Sequence, residues 1–311
     1  MAIKINEAGF LSLLQDRGRF GHHRIGLTTG GAMDQNAYRI CNKLLGNPED
    51  TAVIEVTLGG LVVTATADHL ICVTGAPVEL KINDETVTLW SCHQLKNGDA
   101  LSLKAGNVGL RSYLGVAKGF QINSSFDSAS TVVREKIGGL NGEKLTAGDI
   151  LNCGNTESTL KMKLPSEQHP IYKDHVSLRV IPGYQYDYFS SVDVKRFFSN
   201  RYKVSDRSDR MGYRLIGPSI HSKKKQLLSE GISLGAIQIP ADGQPIVLLN
   251  DRQTIGGYPK IGSVLSLDIS LLAQLRPGNT VDFKPISIET AHNLIHLNEY
   301  FINELKMTEL M

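Results

Sequence analysis

The chain has 311 residues, 41% apolar and 21% charged, with 33 basic side chains against 31 acidic ones. Those values describe a folded globular protein long enough for two domains. The near balance of charge offers no field for nucleic acid or an anionic membrane, and 6% aromatic residues are too few for base-stacking platforms.

From the N-terminus, MAIKINEAGFLSLLQDRGRF lacks the basic start and apolar stretch of a signal peptide. No later segment reaches the roughly 18 consecutive apolar residues of a membrane span. The cysteines Cys41, Cys72, Cys92 and Cys153 form no CxxC pair, and their spacing fits no zinc site. Cys72, in the run Leu70-Ile71-Cys72-Val73, reads as a small core residue. Reduced thiols, a cytoplasmic location and no metal are the expectation.

Asp34 N-caps a helix over Gln35–Leu45 that stops at Gly46. Strands are expected at 61–66, 78–82, 86–89, 100–103, 178–181, 236–239 and 246–249, from β-branched or apolar runs bounded by turn residues. Asn83-Asp84 and Asn97-Gly98 read as hairpin turns. Further helices are expected at Ser191–Ser199 and from Ser287 towards Met307, where Ile288, Ala291, Leu294, Ile295 and Ile302 recur at helical spacing. His292 and His296 share a face of that helix, but the Glu of a zinc-protease helix is missing, and they read as surface or packing residues ahead of metal ligands. Lys223-Lys224-Lys225 reads as a solvated turn.

Three ordered pairs of strings suggest an internal duplication. Gln15-Asp16-Arg17-Gly18 matches Ser208-Asp209-Arg210-Met211-Gly212, and Glu55-Val56-Thr57-Leu58-Gly59 matches Glu230-Gly231-Ile232-Ser233-Leu234-Gly235. Leu95-Lys96-Asn97-Gly98-Asp99 matches Leu275-Arg276-Pro277-Gly278-Asn279. The expected organisation is mainly β with a few helices. A first domain covers 1–155, a polar linker 156–175, a second domain 176–286 and a C-terminal helix 287–311. Two such domains create a cleft suited to a ligand.

No Walker loop, GxGxxG, HExxH or GxSxG is present. The densest polar string runs through Gln244, Asp251, Arg252, Gln253, Thr254 and Tyr258, with the apolar strand 246–249 delivering four of them to one end. An arginine offers a planar fork to carboxylate or phosphate, and an aspartate can orient it or act as a base. Asp209 with Arg210 forms a second group. Glu55 and Glu230 sit beside apolar runs, where a carboxylate needs a partner or a raised pKa.

Taken together, Gly30-Gly31-Ala32-Met33-Asp34, the Glu55 string, Ser208–Gly212, Leu228-Ser229-Glu230-Gly231, Gly243-Gln244-Pro245 and Asp251-Arg252-Gln253-Thr254 with Gly256-Gly257-Tyr258-Pro259 resemble the biotin-dependent carboxyltransferase-like family. That family includes allophanate hydrolase subunit 2 and the KipI antagonist. The resemblance runs from about Gly9 to Phe283. It implies two tandem cyclophilin-like β-barrel domains and a subunit of an ATP-dependent 5-oxoprolinase with KipI-like and LamB-like partners. Carried over by motif, Asp251, Arg210 and Glu55 are the expected catalytic residues. Asp34, Asp209, Glu230, Gln244, Arg252, Gln253, Thr254 and Tyr258 are the expected substrate-binding ones. ATP would act in the complex. Biotin enters only under one alternative, a carboxyltransferase component acting on urea or a related amide. The other alternative is a binding-only antagonist of a KipI-like kinase inhibitor. Thr28-Thr29-Gly30 departs from the family pattern of a flanking Pro and Ser.

Overall fold

The computed structural model describes residues 1–154, 161–224 and 227–309. The first part of the expected linker and Lys225 lie outside them. Two compact units are present: Met1–Phe20 with Gly30–Tyr172 and Glu304–Met311, and Gly21–Thr29 with Lys173–Asn303. Linear boundaries could not express this, because Gly21–Thr29 belongs with the second unit and the C-terminal segment with the first.

In the first unit, β1 (Ala2–Ala8) and β2 (Leu11–Gln15) precede α1 (Gln35–Leu44), β3 (Val53–Thr57), β4 (Gly59–Ala65) and β5 (His69–Gly75). Then come β6 (Val78–Ile82), β7 (Glu85–Thr86), β8 (Cys92–Leu95), β9 (Ala100–Ala105), β10 (Arg111–Val116), β11 (Ile150–Asn152) and β12 (Met162–Lys163). One sheet has the order β11-β1-β4-β9-β6-β7 and the other β2-β3-β10-β5-β8. The second is buried on both faces, and strand alternation decides what each face meets. Ile71 and Val73 of β5 join Ile3, Ile5, Leu61 and Val63 of the facing sheet, while Leu70 and Cys72 join Ala37, Tyr38 and Cys41 of α1. By the same alternation Ile54 and Val56 of β3 enter the sheet-to-sheet core, while Val53 packs with α1 and its neighbours. Glu55 therefore shares the α1 face.

The second unit holds β13 (His175–Pro182), α2 (Ser191–Ser199), β14 (Tyr202–Val204), β15 (Gly212–Ile216), β16 (Glu230–Gly231), β17 (Ala236–Gln238) and β18 (Ile246–Leu248). It continues with β19 (Ile255–Gly256), β20 (Lys260–Val264), α3 (Ser266–Ala273), β21 (Thr280–Pro285) and α4 (Ile288–Asn303). Seven of these strands close a barrel in the order β13-β20-β17-β18-β15-β14-β21, and a parallel β13–β21 pair completes the ring. Phe283 of β21 stacks on Phe197 of α2 with centroids 4.3 Å apart. After α4, β22 (Thr308–Glu309) pairs with β12 in the first unit. Among the described residues no helix is long and apolar enough to cross a membrane.

Asn83 and Asp84 have φ of 48° and 69°, the paired left-handed conformation of a tight hairpin turn, and join β6 to β7. The expected hairpin at Asn97-Gly98 is corrected: β8 and β9 lie in different sheets, so this turn is a crossover. Its geometry is nonetheless specific. Lys96 N–H donates to the Asp99 carboxylate at 2.8 Å, and Gly98 N–H and Asp99 C=O bond Ala65 of β4. Arg276–Asn279 makes the same bonds to Val204 of β14, and Thr146–Asp149 makes them to Ile5 of β1. Among the described residues the turn thus recurs at these three places, so its string marks a way of entering a strand more than one register of a duplication.

Candidate functional site

In the first unit Glu55 and Asp34 lie in one buried polar network. Glu55 is 1% exposed. Its Oε2 accepts from the Met33 amide at 2.8 Å and from Tyr113 Oη at 2.9 Å, and Arg111 Nε stands 3.6 Å from Oε1. Tyr113 Oη in turn accepts the Asp34 amide at 2.7 Å. Asp34 Oδ1 caps α1 through Ala37 N–H, as expected, and Oδ2 accepts from Tyr172 Oη at 2.9 Å. Burial, then the Glu55 and Asp34 charges, push the Tyr113 hydroxyl far above its ordinary value, so it stays a proton donor. This arrangement holds the Ala32–Asp34 loop against β3 and β10.

In the second unit three of the polar strings become one assembly. Arg210 closes a two-pronged ion pair on Asp251, and Asp251 N–H donates to the Arg210 carbonyl at 2.9 Å. The segment after Asp251 is laced to β16, because Glu230 pairs with Gly256, Ile232 N–H donates to Thr254 C=O, and Arg252 Nε donates to Ile232 C=O at 3.2 Å. Arg252 Nη1 donates to Leu249 C=O at 3.2 Å, and the Thr28 hydroxyl donates to the Arg252 carbonyl. Desolvation lowers the Arg252 pKa to about 10, with the Asp251 charge acting against it.

Beyond the ladder, Glu230 is held by Lys260 Nζ, by the Tyr184 hydroxyl and by Gln185 Nε2 at 2.7 Å. Gln185 also accepts the Lys260 amide at 2.8 Å. Partial burial raises the Glu230 carboxyl, but donation from Lys260 and Tyr184 outweighs it and leaves the group below its ordinary value.

The remaining expected residues serve their own turns or lie towards solvent. Gln244 spends its amide on the backbone of Gly217, accepting at 2.9 Å and donating at 3.1 Å. Asp209 Oδ1 accepts from Met211 and Gly212 N–H groups and shapes their turn. Gln253 is exposed, Thr254 partly so, and Tyr258 is 50% exposed. No group of three or more His, Cys, Asp or Glu among the described residues could hold a metal ion.

Sequence reading missed Arg111, Tyr113 and Tyr172 in the Glu55–Asp34 network, and Tyr184 and Gln185 around Glu230. Each lies 30 or more positions from the carboxylate it meets, so only the fold brings them together. Lys260 ends the polar string Gly256-Gly257-Tyr258-Pro259-Lys260, and only its pairing with Glu230 is unseen in the sequence. Sequence reading also passed over Arg19, fully buried, whose fork donates to the Ser125 and Ser130 carbonyls at 3.0 Å.

The model of the carboxyltransferase domain, subdomain A and B, matches residues 25–285. The chain belongs to this family. It is 37% identical over 294 residues to a 5-oxoprolinase subunit of Haemophilus influenzae, covering 94% of each chain. Against the corresponding 5-oxoprolinase subunit of Escherichia coli K12 the identity is 37% over 291 residues, with 93% of each covered. Among solved structures, the urea amidolyase of K. lactis superposes with a TM-score of 0.92 at 28% identity, over 98% of this chain. This chain spans only 20% of that protein's length.

Proposed function

We propose that this chain is a subunit of a cytoplasmic hydrolase complex that opens 5-oxoproline to glutamate at the expense of ATP, acting with KipI-like and LamB-like partners and inactive alone. The observation that carries this reading is the end-to-end match, 94% of both chains, with a protein named as a 5-oxoprolinase subunit. The chemistry has a clear demand. A lactam resists water, so the γ-phosphoryl group of ATP moves to the lactam oxygen and makes the ring carbon electrophilic. Water adds there, the C–N bond breaks as nitrogen takes a proton, and a second water hydrolyses the acyl phosphate.

In this reading the residues divide by burial. Glu55, Arg210 and Asp251 are sequestered, and we assign them positioning roles: Glu55 fixes the Ala32–Asp34 loop, and the Arg210–Asp251 pair fixes the segment that carries Arg252 to Thr254. Glu230 with Lys260 is open enough to meet a substrate, and an ionised carboxylate beside an ammonium is suited to moving the proton that nitrogen gains.

A second reading, carboxyl transfer from biotin to urea or a related amide, is favoured by the superposition on urea amidolyase. Substrate consumption separates the two. The complex supplied with ATP and either 5-oxoproline or urea plus bicarbonate is expected to consume only the former. Bicarbonate-dependent consumption of urea would replace the first reading by the second.

A further inference from the structure

We propose that Arg252 is the receptor for a single carboxylate group of the substrate. Resting on the reading of this chain as part of an amide-opening complex, the proposal deepens it by naming the group that selects an acid over a plain lactam.

The two arginines of this assembly differ in what their guanidinium groups meet. Arg210 turns Nε and Nη2 onto the two oxygens of Asp251, both at 2.9 Å, so its charge is already neutralised and its planar edge is occupied. Arg252 differs. It is 5% exposed, yet its two hydrogen bonds go to neutral carbonyls, Ile232 and Leu249, and no carboxylate lies within ion-pair distance of it among the described residues. Nη2 donates to no described residue and is not sealed from water. A guanidinium taken out of water without a counter-ion is costly, and an anion delivered to its open edge offsets that cost. The surroundings strengthen the attraction, since Ile232 and Leu249 are buried and the local dielectric is low.

The fixed geometry supports the same role. Nε and Nη1 pin the fork to two backbone carbonyls, so Nη2 is presented in one orientation and little side-chain entropy remains to be lost on binding. One uncompensated positive charge matches one carboxylate. A phosphate dianion would need a second free cation, and Arg210 is committed to Asp251, the residue before Arg252.

The test is calorimetric titration of the full chain with L-5-oxoproline, with 2-pyrrolidone (the same lactam without the carboxylate), with acetate and with inorganic phosphate. Wild type is expected to bind 5-oxoproline at least about 30-fold tighter than 2-pyrrolidone, the loss typical of leaving one partner of a buried ion pair alone. Acetate should compete, and phosphate should compete less well than acetate. Arg252→Gln should abolish the preference, with Arg252→Lys restoring part of it. Should Arg252→Gln fail to fold, the wild-type comparison and the Lys variant still decide. Equal binding of 5-oxoproline and 2-pyrrolidone, an undiminished preference in Arg252→Gln, or phosphate binding more tightly than acetate would each overturn the proposal. Acetate binding that depends on Arg252 in a chain that supports no turnover of 5-oxoproline would leave the receptor standing and remove only the reaction.

Discussion

Arg210 and Asp251 are 41 positions apart in sequence and joined by two parallel charge-assisted hydrogen bonds at 2.9 Å, both side chains buried. Each partner satisfies the other's desolvated charge, so removing either strands a buried ion. Arg210→Ala is expected to cost about 3–5 kcal/mol of stability. Arg210→Lys should recover only part of it, because an ammonium cannot reproduce the fork. Urea unfolding with an unchanged m-value is the check; a loss under about 1 kcal/mol would show that the pair is dispensable.

Glu55 accepts from an amide and a phenol in a place that water does not reach. Tyr113→Phe removes one hydrogen bond and is expected to cost about 1–2 kcal/mol. Glu55→Gln disturbs the Met33 amide, Tyr113 and Arg111 together and should cost more, about 3 kcal/mol. The double variant should lose less than the sum, since both act in one network. Strict additivity in a thermodynamic cycle would contradict the shared network.

His69 is buried at the start of β5, with Nε2 against the Ala2 carbonyl at 3.3 Å and Nδ1 without a hydrogen-bond partner among the described residues. Burial lowers its pKa, the N-terminal ammonium acts in the same direction, and the Ala2 carbonyl and Asp68 oppose both. The sign follows from linkage. The unfolded chain takes up this proton at about pH 6.5 while the folded chain does not, so stability falls as pH drops below that value and levels off beneath the folded pKa. His69→Asn should flatten this part of the stability-against-pH curve, and an unchanged slope would assign it to other groups.

Glu230 is kept ionised below the ordinary carboxylate range by Lys260 and Tyr184. Lys260→Met removes a donor and a positive charge, so the Glu230 pKa should rise. If Glu230 works as a carboxylate, the acid limb of the activity profile of the complex moves towards neutral pH while the plateau changes less. Arrest at every pH with no movement of the limb would show that Lys260 meets the substrate directly.

What could be read in the sequence follows how local each signal is. The helix after Asp34 and the strand Val78–Ile82 with its Asn83-Asp84 turn carry their own caps and turn residues, and they formed within a residue of expectation. Expected strand 86–89 formed only as Glu85–Thr86, and the chain beyond it bends at Leu89–Trp90, where Trp90 has φ 58°. Helix α3 went unseen, since its eight residues bury Asp268 and Ser270 beside Ile269 and Leu272 and expose Leu271, so polarity does not mark its inner face. For the site, the string Asp251–Thr254 announced itself by density of polar groups. Which arginine was spent and which was open depended on a contact 41 positions away, a distance over which sequence alone carries no geometry.

The most direct test of the account is glutamate formation from 5-oxoproline and ATP by the complex proposed above, assembled with KipI-like and LamB-like subunits and measured with this chain present and with only this chain omitted. A requirement for the chain, with glutamate and ADP released in equal amounts, is the predicted result. An unchanged rate without it would contradict its place in the reaction.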